Sequence, residues 1–398
     1  MVEAVARHGY AGTTLRELVA LAGVSKSTFY EHFESKQDCF FATFEEIIGI
    51  ASRRVGDAYR KPGDFRERLV AGIEAFLEIA ADEPAAAYLT TVESLTLGSA
   101  GVAPRERAWA TFELMIQQTF DSSPSRVRVG ERTVRAIVAG LSGIVYRHLR
   151  AGREKELPAL VEEITDWTLS YQRRESAAVG AARRSAEIGP PREESELTDG
   201  ALSWEEPPDS PRSRSALTQR ERIIRAAARV VFDKGYEALS VPAISGAAGV
   251  SNQTFYQNFP SKRDAFLEAF DILVQRAFAA SVRTVTTESP GPEAIGKVMR
   301  AYLEHIRENP LFARLAFFEV ASVGPAAFER GDATIDRFTT LLDRAATASG
   351  GKSLSPNVRV GIGSGLWAVI QHELQHGRSD ELPELSPELA MIATMPLS

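Results

Sequence analysis

The sequence predicts an all-α protein made of two tandem units, on three observations. Apolar residues recur at helical spacing along most of the 398 residues, and strand signals are few. The helical stretches break at Lys61-Pro62-Gly63, Gly98–Pro104, Ser289–Pro292 and Gly350-Gly351, where proline and glycine punctuate the chain. Third, AGVSKSTFYEHFESKQDCF at Ala22–Phe40 returns as AGVSNQTFYQNFPSKRDAF at Ala248–Phe266, with 12 of 19 positions identical at an offset of 226 residues. A period this long marks a copied domain-sized unit rather than a solenoid.

The same offset pairs Gly9-Tyr10 with Gly235-Tyr236, Pro84 with Pro310, Glu93 with Glu319 and Gly98 with Gly324. Further on it slips by one residue, pairing Gly140 with Gly365 and Leu149 with Leu374. The likeness is strong at the start of each copy and faint behind it, so the task the copies share lies at their N-terminal ends.

Local signals place the elements in order. Thr14 and Glu17 have the spacing of a capping box, which predicts a helix over Leu15–Ala20. Ala22-Gly23-Val24 supplies a tight turn whose glycine can take a positive φ. Ser25 caps a second helix, Lys26–Phe33, and Ser35 caps a third, more apolar one with Lys36 in its first turn. On the second helix Phe29 and Phe33 share a face that packs inward, while Lys26, Ser27 and Tyr30 lie on the other. A helix-turn-helix with one apolar and one donor-rich face suits a DNA major groove.

The second copy opens with a full amphipathic helix, TQRERIIRAAARVVF, bearing Arg220, Arg222 and Arg225. Met1 aligns with Ala227, so the first copy keeps only the last turns of that helix; either its start lies upstream or its first unit is frayed. Between the copies, 174–216 is rich in Ser, Pro, Gly, Glu and Arg, a composition that cannot bury enough surface to offset chain entropy, and it reads as a flexible tether. The expected layout is a DNA-binding domain at 1–45, a helical regulatory domain at 46–173, the linker at 174–216, a second DNA-binding domain at 217–271 and a second regulatory domain at 272–398.

Composition narrows the class. A single cysteine, Cys39, excludes a disulfide framework and a cysteine-based zinc site. No apolar run reaches the roughly 18 residues of a membrane span, and no leader pattern is present, so a cytoplasmic protein is expected, on the nucleoid when DNA-bound. The net charge of −7 argues against a surface that coats nucleic acid generally. Locally the balance differs: residues 1–40 hold four Lys/Arg against five Asp/Glu, and residues 218–266 hold seven against four. The second copy is therefore expected to bind DNA with a steeper salt dependence.

Gly9-Tyr10, Thr13-Thr14, Ala22-Gly23-Val24-Ser25, Thr28-Phe29-Tyr30, Phe33 and Ser35-Lys36 stand in the register of a known pattern, as do Gly235-Tyr236, Ala248–Ser251, Thr254–Tyr256, Phe259 and Ser261-Lys262. In these segments the chain resembles the DNA-binding domain of TetR-type bacterial transcriptional regulators. The resemblance implies three N-terminal helices that bind DNA, a larger helical domain that binds a small effector, and a four-helix dimer interface. It places Lys26, Ser27 and Thr28, with Asn252, Gln253 and Thr254, at the start of the two recognition helices. Tyr30 and Tyr256, His32 and Asn258, and Lys36 and Lys262 would contact bases or backbone of a double-stranded operator, while Thr14, Arg16 and Ser240 would touch phosphate from the preceding helix. Pro242 stands where the first copy has Arg16, removing one such contact from the second.

The recognition helices differ, KSTFYEHF against NQTFYQNF. Asn and Gln suit bidentate reading of adenine and Lys suits guanine acceptors or phosphate, so two unlike half-sites are expected. Small residues along Ala136–Gly143 and Gly361–Gly365 let apolar helices approach closely, which fits a dimer bundle. The two copies then form a pseudo-dimer within one chain, or each pairs with its twin in a second chain; a third possibility is that the first copy no longer binds DNA and serves as a sensor. Candidates for an effector pocket are Tyr88, Trp109, Phe317, Phe318, Trp367, Glu93 and Glu319. His372-Glu373-Leu374-Gln375-His376 matches the H-E-x-x-H of helical zinc proteases. The matching positions of the first copy are Arg147, His148 and Ala151, so the motif reads as polar residues near a helix end. A regulator with no catalytic residues, metal or cofactor is the expectation, acting as a repressor.

Overall fold

The computed structural model of the protein describes residues 1–125, 127–173, 176–187, 218–283, 292–348 and 353–397, and among these every regular element is helical. In the first copy, α1 (Val2–Gly12), α2 (Leu15–Ala22) and α3 (Lys26–His32) precede the long α4 (Lys36–Tyr59). There follow α5 (Phe65–Asp82), the short α6 (Pro84–Tyr88), a π-turn at Leu89–Glu93, α7 (Ser94–Thr96), α8 (Ser99–Asp121), α9 (Glu131–Arg150) and α10 (Val161–Ser170).

One helix beyond these was not expected. Residues 177–187, assigned by composition to the flexible tether, form α11 (Ala177–Glu187), which is alanine-rich and so a good helix former. Ala182 and Ala186 are buried with Ala390, and a Cβ on Gly296 would meet the Ala182 carbonyl, so α11 docks backbone-close on a seam of small residues. The stretch 188–216 of the expected tether lies outside the described residues.

The second copy repeats the order of the first. It runs α12 (Gln219–Lys234), α13 (Val241–Ala248), α14 (Asn252–Asn258), α15 (Lys262–Val282), α16 (Pro292–Glu308), α17 (Pro310–Arg314), a π-turn at Leu315–Glu319, α18 (Pro325–Ala348), α19 (Pro356–Gln375) and α20 (Ser386–Thr394).

Serine and threonine caps set the helix starts. Thr14, Ser25, Ser35, Ser240, Ser251 and Ser261 each accept a backbone N–H three residues on. The capping box expected at Thr14 forms only in part: the Glu17 carboxylate lies 3.0 Å from His8 Nε2 instead of reaching back. Complete boxes occur at Asp64/Glu67 and Thr218/Glu221. Gly23 and Gly249 close the turns before α3 and α14 at φ of 67° and 65°, as the turn requires.

The chain divides into two compact units that do not coincide with the two copies. Met1–Val179 forms the first together with Ile335–Ile370 and Ile392–Ser398, and Gly180–Thr334 with Gln371–Met391 forms the second. Within the first unit, α9 meets the part of α19 that precedes Gln371. A Cβ on Gly140 would stand 2.5 Å from the Gly361 carbonyl oxygen, and one on Gly365 2.4 Å from that of Ala136. Only glycine lets backbones approach this closely. Tyr171 donates its hydroxyl to the Ile392 carbonyl at 3.1 Å, Arg147 pairs with Asp336 at 3.0 Å, and Asn357 donates to Glu163 at 3.2 Å.

Candidate nucleic-acid interface

Each helix-turn-helix is built on a small apolar framework. In the first copy Ala4, Leu18, Val19, Phe29 and Cys39 are buried together, with Leu15 and Phe33 packed against them. In the second, Ile223, Ala227, Val231, Ile244, Phe255, Phe259 and Phe266 are buried. Phe255 packs against Phe259 at 6.0 Å between ring centres and Phe29 against Phe33 at 5.3 Å, so both recognition helices are held by an aromatic pair at i and i+4.

The opposite face is open. Tyr30 is 57 % and Tyr256 60 % exposed, values high enough to leave both rings available to a partner. Lys26, Ser27, Glu31 and His32 are exposed, as are Asn252, Gln253 and Gln257. Thr14, Arg16 and Ser240 lie exposed at the starts of α2 and α13. Thr28 and Thr254 are half-buried, each hydroxyl bonded to the serine cap, Ser25 at 3.0 Å and Ser251 at 2.9 Å. Asn258 turns its amide back to the Thr254 carbonyl at 2.8 Å, which uses a donor on its own helix.

The two lysines expected to contact bases or backbone donate, in the free protein, to carbonyls of their own domain. Lys36 donates to the Tyr10 carbonyl at 2.8 Å and the Thr13 carbonyl at 2.9 Å, with its ammonium 4.2 Å from the centre of the Tyr10 ring. Burial lowers its pKa from the usual lysine value. Lys262 donates to the Leu239 carbonyl at 2.5 Å over the Tyr236 ring. Both amines bind carbonyls at the end of the first helix of their copy or in the turn beyond it, so they tie the fourth helix to the first.

Glu93 and Glu319 take a role that sequence reasoning missed. Glu93 accepts the Tyr10 N–H at 2.8 Å and Glu319 the Tyr236 N–H at 2.9 Å. Both carboxylates are buried, and burial raises the Glu93 pKa while the Tyr10 N–H pulls it back. The signal was present in the shared offset, since the donor and acceptor of each pair stand 83 residues apart in both copies.

A small apolar cleft lies in the first copy among α4, α5, α8 and α9. Val55, Tyr59, Ile73, Phe76, Phe112 and Leu141 are among its walls. Gly72 makes room for the Tyr59 ring, because a Cβ there would stand 2.3 Å from it. None of the seven residues expected to line an effector pocket is on this wall; Phe317 is core, Tyr88, Trp109, Phe318 and Trp367 are half-buried elsewhere, and the two glutamates are occupied as above. Glu373 of the H-E-x-x-H string is buried and ion-paired with Arg378, and His376 Nδ1 lies 2.8 Å from the His372 carbonyl. That glutamate is engaged structurally, not poised as a base.

Comparison with known proteins agrees with this geometry. The model of bacterial regulatory proteins of the tetR family matches residues 2–43 and again 223–269. Among curated proteins, the chain is 24 % identical over 176 residues to the HTH-type transcriptional regulator EthR of Mycolicibacterium smegmatis, covering 44 % of this chain and 80 % of that one. It is 36 % identical over 70 residues to the HTH-type transcriptional activator FasR of the same organism, covering 18 % of this chain and 32 % of that one. Among solved structures, the TetR family transcriptional regulator PfmR from Thermus thermophilus superposes on 44 % of this chain and 96 % of its own length, with 23 % identity and a TM-score of 0.36. The chain carries two tetR-family DNA-binding domains in tandem.

Proposed function

We propose that this tandem tetR-family protein is a DNA-binding transcriptional regulator that reads an asymmetric operator with two unlike recognition helices and releases it when a small molecule binds its helical bodies. Its class, a helix-turn-helix transcriptional regulator, follows from the two matched segments. The finer reading rests on one observation above others. The helices KSTFYEH and NQTFYQN keep the same buried Phe and the same serine cap but differ at four positions, and seven of these eight side chains are exposed, Asn258 alone being half-buried.

The glycine seam between α9 and α19 supports a pseudo-dimer within one chain, since it pairs a helix of the first copy with one of the second. The apolar pocket supports an effector of apolar character. Repression, relieved by that effector, is the mode proposed.

Selection of bound duplexes from a random pool tests the reading. Two unlike half-sites are expected, bound by one 43.4 kDa chain as judged by light scattering. A perfect palindrome bound by twice that mass overturns the asymmetric pseudo-dimer. A reporter gene under the selected site that falls silent on deletion of the regulator overturns repression.

A further inference from the structure

The backbone of Tyr10 is gripped from both sides. Its N–H is bound by Glu93, which arrives from the helical body, and its carbonyl by Lys36, from the first turn of α4. Lys36 also holds the Thr13 carbonyl, next to the Thr14 cap of α2. The grip works because Gly9 stands at φ 67°, which turns the Tyr10 N–H out of the helix; a Cβ there would also lie 3.3 Å from the Glu93 carboxylate. The second copy repeats the glutamate side of the device, with Gly235 at φ 81° and Glu319 on Tyr236, while Lys262 holds Leu239 instead.

Each glutamate is the last residue of a π-turn, Leu89–Glu93 or Leu315–Glu319. A π-turn carries one residue more than an α-helical path needs, and relaxing it to α-helix rotates the residues on one side by about 100°. A shift from the π-turn to an α-helical path would turn the glutamate at its end away from the Tyr10 or Tyr236 N–H. Leu89 of the first π-turn is buried against Phe40 and Phe44 of α4 and is clustered with Ala108 of α8. The same two helices wall the apolar pocket through Val55, Tyr59, Phe112 and Ile116.

We infer that Glu93 and Glu319 are positioning residues for DNA binding: each latches its DNA-binding domain to the helical body, and the π-turn beneath it is the element that releases the latch. This rests on the DNA-binding reading above. The two latches are unequal. Arg314 pairs with Glu319 at 3.3 Å, whereas the corresponding position of the first copy is Tyr88. The first latch therefore opens more readily, and it is the one whose turn packs on the helices around the pocket.

Amide hydrogen exchange on the full chain, with and without the selected operator duplex, tests the latch. In the free protein Glu93→Ala is expected to speed exchange at the Tyr10 amide about tenfold or more, the loss of one charge-assisted bond; Glu319→Ala does the same at Tyr236. Glu93→Gln, whose amide oxygen can still accept, restores part of the protection, and this rescue separates the latch from a role as buried filler. In the wild type, operator slows exchange in α5 and α8, and Glu93→Ala abolishes that response. Wild-type protection at Tyr10 and Tyr236 in the alanine variants, or an unchanged response to operator, overturns the latch. If the wild type selects no DNA sequence, the DNA-binding reading fails, and exchange in the free variants still decides whether the latch exists.

Discussion

The two DNA-binding domains are made by the same rules and braced by different side chains. In the second, Arg220 reaches from α12 to the Asn258 carbonyl at 2.7 Å, pairs with Glu268 and lies 4.3 Å over the Phe259 ring, which is fully buried. In the first, Phe33 at the matching position is half-buried. The Glu319 latch has an arginine beside it; the Glu93 latch has a tyrosine at that position. The two domains thus share a fold and differ in the side chains that brace it.

The comparison breaks most visibly through the aromatic pairs. Phe259→Ala is expected to cost about 3–5 kcal/mol in the unfolding of its unit, and Phe33→Ala distinctly less, because less area leaves water there. Equal losses in chemical denaturation would contradict this difference. Gly140→Val probes the seam that neither DNA-binding domain contains: overpacking against the Gly361 carbonyl is expected to cost on the order of 3 kcal/mol and lower the thermal midpoint. Next in size is specificity. Asn252→Ala should weaken discrimination at one half-site by about 1–3 kcal/mol and leave the other unchanged, read by competition binding.

A pH effect follows from the first helical body. Glu113 and Glu106 share Arg135, at 3.1 and 2.7 Å, and desolvation lifts the Glu113 pKa to about 7 despite the guanidinium. A carboxyl whose folded pKa lies above its unfolded value stabilises the fold below the unfolded value and loses that contribution as pH rises through the folded one. Between about pH 4.5 and 7 the wild type should therefore lose stability that Glu113→Gln retains, measured by thermal unfolding across that window. The smallest expected change is a gain: Gly246→Ala has open space for its Cβ and should stabilise α13 by about 0.5–1 kcal/mol.

Much of this was legible in the sequence because the signals were local. Thr14, Ser25 and Ser35 announce helix starts by chemistry that acts within three residues, and Phe29 and Phe255 announce an inner face by spacing alone. The doubled segment located both readers and their variable face. What escaped depends on tertiary placement. Lys36 looks like a phosphate ligand until the Tyr10 and Thr13 carbonyls are seen beside it, and Glu93 looks like a pocket residue until its partner 83 residues away appears. Composition misassigned Ala177–Glu187 because alanine and arginine suit both a solvated tether and a helix, and only the small-residue seam decides between them. The pocket was missed because Tyr59, Phe76 and Phe112 come from three helices whose spacing no local pattern reveals.

The decisive measurement is to make the two readers alike. In the quadruple variant Lys26→Asn, Ser27→Gln, Glu31→Gln and His32→Asn, the exposed face of α3 becomes that of α14 while Phe29 and the Ser25 cap stay in place. If one chain reads two half-sites through these faces, selection from a random duplex pool should change from unlike half-sites to a palindrome of the second half-site. Recovery of the wild-type sequence unchanged would contradict it.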